Sequence, residues 1–188
     1  MPVNILAIES SCDDTSVAIL QDGQILANET ASQWIHRKYG GVVPEAASRL
    51  HVESIISLTD SALVNAGMSL SELSAIAVTR GPGLMGALLV GITHAKALSL
   101  SLNIPLIDVN HLHAHILSLF IDHSPDYPML CLTVSGGHTQ LLLIQSAFEI
   151  ELLGQTKDDA AGEAFDKCGK LLGLPYPTGP HMDRLAKM

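Results

Sequence analysis

Short apolar runs of strand length alternate with apolar patterns of helical period from Val3 to Phe120, and no other feature constrains the fold as strongly. Residues 3–9, 16–20 and 24–29 read as three consecutive strands, the last two joined by Asp22-Gly23, a dipeptide suited to a tight hairpin turn. The sheet therefore starts antiparallel. After Gly40-Gly41, Pro44 suits a first helical turn, and Ala47, Leu50, Ile55, Leu58 and Ala62 recur at helical spacing until Asn65-Ala66-Gly67 ends the pattern. Ser69 with Glu72 resembles a capping box, and residues 75–79 read as a buried strand. Residues 84–100 are helical in pattern, 105–109 form a short strand, and 111–120 are helical again. This βα alternation predicts an α/β fold with a largely parallel sheet.

A polar loop containing Asp122, Ser124, Pro125 and Asp126 then precedes a new hairpin, residues 129–134 and 139–144. The expected lobe boundary lies near Pro125, giving lobes over 1–125 and 126–188. A helix over residues 160–172 is expected to turn Ala161, Ala164, Phe165, Cys168, Leu171 and Leu172 inward and Glu163, Asp166, Lys167 and Lys170 outward. Another helix opens at Pro180, so the second lobe is expected to begin without enough residues to close.

Composition sets the remaining bounds. With 47% hydrophobic and 15% charged residues over 188 positions, the chain carries enough apolar material for a core, which argues against disorder. No run reaches the roughly 18 apolar residues of a membrane span, and the N-terminus shows no basic region or cleavage site, so neither a membrane segment nor a targeting peptide is expected. Cys12, Cys131 and Cys168 are odd in number and widely spaced, which fits a reducing cytoplasmic compartment rather than a disulfide framework. A formal charge of -9 argues against this piece holding nucleic acid by itself, because phosphate binding requires clustered Lys and Arg.

Four segments could carry chemistry. His111 and His115, four apart in a helical stretch, leave one face and can share a metal ion, or they are ordinary hydrogen-bonded histidines near a helix start; His113 points elsewhere. A zinc peptidase would need Glu after the first His, and Leu112 stands there. The run Val134-Ser135-Gly136-Gly137-His138-Thr139 lies between two strands and can converge backbone amides on an anion, or it is a plain Gly-Gly hairpin turn. Thr79-Arg80-Gly81-Pro82-Gly83 leads into a helix with Gly86 and Gly91 but lacks the Lys-Ser/Thr ending of a phosphate loop, so close packing explains its glycines best. Glu9, Asp13 and Asp14 follow the first strand, where they hold a hydrated metal or are solvated turn acids. A Glu163 to Lys167 pair is expected on the later helix, with Cys168 in its core face.

Together these segments resemble the TsaD family of tRNA N6-adenosine threonylcarbamoyltransferases along the whole chain. The resemblance rests on Ala7-Ile8-Glu9-Ser10-Ser11-Cys12-Asp13; on Tyr39-Gly40-Gly41-Val42-Val43-Pro44-Glu45 with Ser48-Arg49 and His51; on Gly81-Pro82-Gly83-Leu84; on Asn110-His111 with His115; on Ser135-Gly136-Gly137-His138-Thr139; and on Asp158-Asp159-Ala160-Ala161-Gly162-Glu163-Ala164-Phe165-Asp166-Lys167. It implies an actin-like, sugar-kinase-like (ASKHA) fold of ribonuclease-H-like lobes, the second incomplete in this chain. It further implies that His111 and His115 bind iron or zinc, with a third ligand, an aspartate, absent here. Val134, Ser135, Gly136, Gly137, His138, Asp166, Gly179 and Asp183 would contact threonylcarbamoyl-AMP or an ATP-like nucleotide. Asp13, Asp14 and His138 are candidates for taking the amine proton. The implied partners are tRNA, a paralogous TsaB-like protein and an ATPase, with no membrane.

Two positions depart from the family pattern: Asp14 replaces the usual Glu, and Thr178-Gly179-Pro180 replaces Gly-Gly-Pro, which restricts backbone approach at Thr178. Two other functions compete. One is a non-catalytic scaffold docking a paralogue through the helix over 84–100. The other is an ATP-hydrolysing or sugar-phosphorylating relative, against which the two histidines argue.

Overall fold

The structure, a computed structural model, describes residues 1–188 and divides into two compact units, residues 1–36 with 42–112, and residues 37–41 with 113–188. This division falls inside a helix, whereas the expected boundary near Pro125 sits in the loop ahead of the second sheet.

In the first unit, β1 (Asn4–Glu9), β2 (Asp14–Gln21) and β3 (Gln24–Ser32) form an antiparallel meander, and β4 (Ala75–Gly81) and β5 (Leu106–Asn110) join it parallel to β1. The strand order is β3-β2-β1-β4-β5. Asp22 and Gly23 both take positive φ, 50° and 83°, the backbone that a two-residue hairpin between right-twisted strands requires. After the short α1 (His36–Tyr39), α2 (Pro44–Ala66) starts on Pro44 and stops at Gly67, a left-handed cap whose amide and that of Met68 return to Val64 and Leu63. The Ser69–Glu72 capping box is closed in both directions. α2 packs on β2 and β3, and α3 (Met85–Leu102) packs on β4 and on α2. Leu6, Ile8, Val17, Ile19, Ile76 and Val78 from the sheet meet Ile55, Ala62, Leu63 and Ala95 from the helices. The apolar strand runs and the helical period recognisable in the sequence thus meet in a common core.

One expectation changes here. α3 is long and apolar enough, by length and composition, to cross a membrane. Its Ala87, Leu88, Gly91 and Ala95 are buried against the sheet and α2, while Met85, Leu89 and Leu100 are exposed.

In the second unit, β6 (Met129–Val134), β7 (Thr139–Ser146) and β8 (Glu149–Gln155) form an antiparallel sheet. Cys131, Leu142 and Ile144 pack with Ile116, flanked by Phe120, Met129 and Ile150. The other face leaves Leu130, Leu132, Val134 and Leu141 exposed. α4 (His111–Leu117) gives way to a 3-10 turn at Ser118–Phe120, so the helix expected over 111–120 is tightened at its end. α5 (Ala161–Leu171) and α6 (Gly179–Ala186) pack on each other.

The face assigned to α5 from the sequence is corrected. Phe165, Cys168, Leu171 and Leu172 are exposed, and the residue α5 buries is Gly169. The cause lies in α6 and its lead-in, which approach the helix on its small-residue side. The Glu163 to Lys167 pair forms at 3.0 Å, and Asp159 joins it.

Candidate functional site

The segment after β1 is held from several sides. Ser10 and Ser11 are buried; Ser10 Oγ donates to the Ala87 carbonyl, and the Ser11 carbonyl accepts from the Leu84 amide at 2.7 Å. A Cβ on Gly83 would lie 2.5 Å from that Ser11 oxygen, one on Gly91 would meet Ser10 Oγ, and one on Gly86 would meet Ser48 Oγ. The glycines around residues 83–91 therefore serve close packing, as expected, and their neighbours are this chain's own serines. His51, fully buried, ties the same segment to α2: its Nε2 lies 3.0 Å from the Cys12 carbonyl and its Nδ1 2.7 Å from Thr15 Oγ1.

Within this frame Glu9 is the best-connected carboxylate. Its Oε2 accepts from Thr79 Oγ1 at 2.6 Å and lies 3.2 Å from His111 Nδ1, and its other oxygen accepts from the Ser11 amide. Ser11 Oγ also lies 3.1 Å from His111 Nδ1. Burial alone would push the Glu9 carboxyl up, but hydrogen bonds from His111, the Ser11 and Thr79 hydroxyls and the Ser11 amide outweigh it and hold the group down to about 2. The carboxylate thus stays ionised. Asp13 is half-buried and Asp14 is exposed at the start of β2. Desolvation, with Asp13 and then Asp14 adding repulsion, pushes the Cys12 thiol up to about 12, so Cys12 is not a nucleophile near neutral pH.

His111, His113 and His115 all lie on α4, as expected. No group of three or more His, Cys, Asp or Glu side chains is arranged to hold a metal ion. The donor chemistry of what is present does fit iron or zinc in part: imidazole nitrogen suits both, and the carboxylate behind the His111 ring is the support that a metal-ligating histidine requires.

In the second unit the turn between β6 and β7 is closed on itself. The Ser135 amide donates to the His138 carbonyl at 2.8 Å, and the His138 amide donates to Ser135 Oγ at 3.0 Å. Neither Gly136 nor Gly137 has positive φ, and a Cβ on either would meet nothing within 4 Å. A type I′ Gly-Gly hairpin is thereby ruled out, and nothing within the chain requires these two residues to lack side chains. The constrained glycine is Gly162, in the first turn of α5. Its amide donates to the Ser135 carbonyl at 3.1 Å, and a Cβ there would lie 2.8 Å from both that oxygen and Gly136 Cα. The adjacent Ala161 amide donates to Thr139 Oγ1.

The remaining predicted contacts cluster where α6 begins. Asp166 Oδ1 accepts from the Thr178 amide at 2.8 Å and from Thr178 Oγ1 at 3.2 Å, and Thr178 Oγ1 also donates to the Phe165 carbonyl. The Thr178 side chain fills the space that Gly169 leaves. Gly179 faces open space, and Asp183 pairs with Lys187 on the exposed side of α6. Asp166 thus anchors α6, a role its polar helix position did not reveal. Sequence reasoning also missed the pairing of Glu9 with His111. The available signal was an acid closing an otherwise apolar strand, where solvation alone does not account for it.

Comparison with known proteins adds to this geometry. Residues 24–188 match the family described as "TsaD: tRNA N6-adenosine threonylcarbamoyltransferase". A protein of that name from Cytophaga hutchinsonii is 57% identical over 188 residues, which is 100% of this chain and 55% of the relative. One from Geotalea uraniireducens is 56% identical over 97% of this chain and 54% of the relative. The chain spans about half the length of the curated relatives it matches. Among solved structures, a Pseudomonas aeruginosa protein "with similarity to peptidase YEAZ" superposes with a TM-score of 0.57 at 23% identity, over 81% of this chain and 64% of that one. The ethanolamine utilization protein EutJ from Carboxydothermus hydrogenoformans gives 0.56 at 12% identity, over 98% and 62%. These likenesses bear on the fold alone, and agree with a lobe of the expected actin-like, sugar-kinase-like type.

Proposed function

This chain belongs to the TsaD family of tRNA N6-adenosine threonylcarbamoyltransferases, and from that premise we propose that it carries the nucleotide-binding turn and two metal-ligating histidines of such an enzyme. The reaction transfers the threonylcarbamoyl group from threonylcarbamoyl-AMP to N6 of the adenosine next to the anticodon, in tRNAs reading codons that begin with A. The product is N6-threonylcarbamoyladenosine, and AMP leaves. The observation that carries this reading is the turn at Ser135-Gly136-Gly137-His138, rigidly closed yet glycine-lined without an internal reason. Backbone without side chains is what close approach of a phosphate or acyl-phosphate requires.

In this reading Val134, Ser135, Gly136, Gly137 and His138 receive the adenylate, whose mixed anhydride resembles the phosphates of an ATP-like nucleotide. Asp166 acts through α6, where it holds Gly179 and Asp183 in register with α5. His111 and His115 would hold iron or zinc, which when bound supplies Lewis-acid polarisation and orientation of the adenylate. Asp13, Asp14 and His138 are the candidate acceptors of the adenine amine proton. The net charge of -9 leaves most tRNA contact to other surfaces, namely the remaining length of the relatives, a TsaB-like paralogue and an ATPase. A cytoplasmic setting follows from the substrate.

The test is transfer of labelled threonylcarbamoyl from its adenylate to tRNA, with the partner proteins present. It compares this chain, a version continued to the length of its relatives, and the continued version carrying His111→Ala. Transfer by the continued chain that collapses with His111→Ala supports the enzyme. No transfer by a folded, metal-loaded continued chain would sink it. The scaffold then becomes the better account, because Val52 and Ile56 on α2 and Met85 and Leu89 on α3 leave an exposed apolar surface for a partner.

A further inference from the structure

We infer that Glu9 is a positioning residue: its carboxylate fixes the proton of the His111 ring on Nδ1 and so assigns the lone pair of the neutral ring to Nε2. The argument rests on donors and acceptors. Glu9 Oε1 is committed to the Ser11 amide, and Oε2 accepts from Thr79 Oγ1 at 2.6 Å. An ionised carboxylate has no proton to give, so the 3.2 Å contact between Oε2 and His111 Nδ1 is a hydrogen bond only if the ring donates. Ser11 Oγ, 3.1 Å from the same nitrogen, can share that proton as a second acceptor. With Nδ1 protonated, the neutral imidazole carries its lone pair at Nε2, the nitrogen through which it can bind a metal or accept a proton.

The carboxylate is itself immobilised from opposite sides. The Ser11 carbonyl accepts from Leu84 where α3 begins, Thr79 belongs to β4, and Glu9 closes β1. His111 starts α4 directly after β5, the strand paired with β4. Neighbouring strands of one sheet therefore hold both the acceptor and the ring. Supporting carboxylates of this kind orient a histidine and raise its basicity as a ligand. That consequence rests on the metal reading proposed above; the proton position does not.

A near-isosteric change separates the two. In Glu9→Gln the side-chain oxygen is kept facing the Ser11 amide, because the opposite flip would set an NH2 against an N–H. The amide NH2 then replaces Oε2 and donates toward His111 Nδ1. Ser11 Oγ is then the one acceptor left at Nδ1, and the NH2 facing that nitrogen favours moving the ring proton to Nε2. The experiment is long-range 1H–15N correlation on the metal-free chain with 15N-labelled histidine, the His111 signals being identified by their loss in His111→Ala.

Wild type is expected to show Nδ1–H, Ser11→Ala to retain it, and Glu9→Gln to show Nε2–H, with the other histidine signals unmoved. Wild type with the proton on Nε2, or Glu9→Gln indistinguishable from wild type, would overturn the inference. The wild-type spectrum alone suffices for this if the variant does not fold. A zinc titration of the same samples is expected to weaken roughly 10–100-fold in Glu9→Gln. Zinc binding by wild type with equal affinity in Glu9→Gln would overturn the positioning role. Absence of zinc binding both by this chain and by the version continued to the length of its relatives would count against the metal reading and leave the proton assignment standing.

Discussion

Gly162 donates its amide to the carbonyl oxygen of Ser135 at 3.1 Å, and the missing Cβ is what lets the first turn of α5 come that close. Two glycine substitutions then have opposite signatures. Gly162→Ala places a methyl 2.8 Å from two backbone atoms of the turn, neither of which can swing aside, so the turn must shift. A stability loss of about 1–3 kcal/mol is expected, together with weaker binding of AMP. Gly136→Ala adds its methyl to open space and should leave the unfolding midpoint within about a degree of wild type, yet it too should weaken AMP. Denaturant unfolding and calorimetric titration with AMP check both. Full AMP affinity in Gly136→Ala would remove the turn from the binding site.

Much of this was legible from the residues. Asp22-Gly23, Pro44 and Gly67 fix backbone conformation locally, so the ends of β2, β3 and α2 follow from the sequence, and the apolar runs of β1 and β4 mark the buried sheet. β8 was not found. Its Glu149 and Leu152 to Gln155 are exposed at a sheet edge, where partner-strand pairing rather than an apolar pattern decides the conformation. The inward face of α5 was misread for a related reason. Gly162 and Gly169 make its close contacts, and a residue with no side chain leaves no mark on an apolar period. Ser135 and His138 were legible as candidate site residues because a hydroxyl and an imidazole flank two glycines. The Glu9–His111 contact spans a hundred positions and exists only through strand pairing.

His51 satisfies two groups at once, the Cys12 carbonyl and the Thr15 hydroxyl, and it is fully buried. His51→Ala opens a cavity and strands the carbonyl, while Thr15 keeps Ser54 Oγ at 3.0 Å. A loss of about 2–4 kcal/mol in denaturant unfolding is expected. The freed segment should also relieve the partial desolvation that raises the Cys12 thiol. Iodoacetamide should therefore label Cys12 faster in the folded variant than in wild type. Unchanged labelling would show that His51 does not hold this segment.

Thr178 and Gly169 are complementary, because the threonine side chain occupies the space where a Cβ on residue 169 would sit. Gly169→Ala should cost about 1–3 kcal/mol through overpacking. Thr178→Gly should cost a similar amount by removing the hydroxyl's bonds to Phe165 and Asp166. The double variant should be more stable than the sum of the two losses predicts, because the second change empties the space that the first one fills. A double-mutant cycle by urea unfolding measures this coupling, and strict additivity would refute the contact.

Glu9 supplies a pH dependence whose sign follows from its environment. Its carboxyl is held at about 2 in the folded chain against 4.5 for an unperturbed glutamate. As pH falls through 4.5 the unfolded chain takes up the proton before the folded one does, which favours unfolding. The stabilisation is therefore complete above about pH 5 and is lost progressively between 4.5 and 2. With 34% of the side chain still exposed, solvent screening reduces the contribution to roughly 1–3 kcal/mol. Glu9→Gln should be less stable than wild type by that amount at pH 7, and the gap should close by pH 2. Unfolding curves collected across this range check it. A gap that persists unchanged to pH 2 would mean that the Gln side chain disrupts packing rather than removing a stabilised charge.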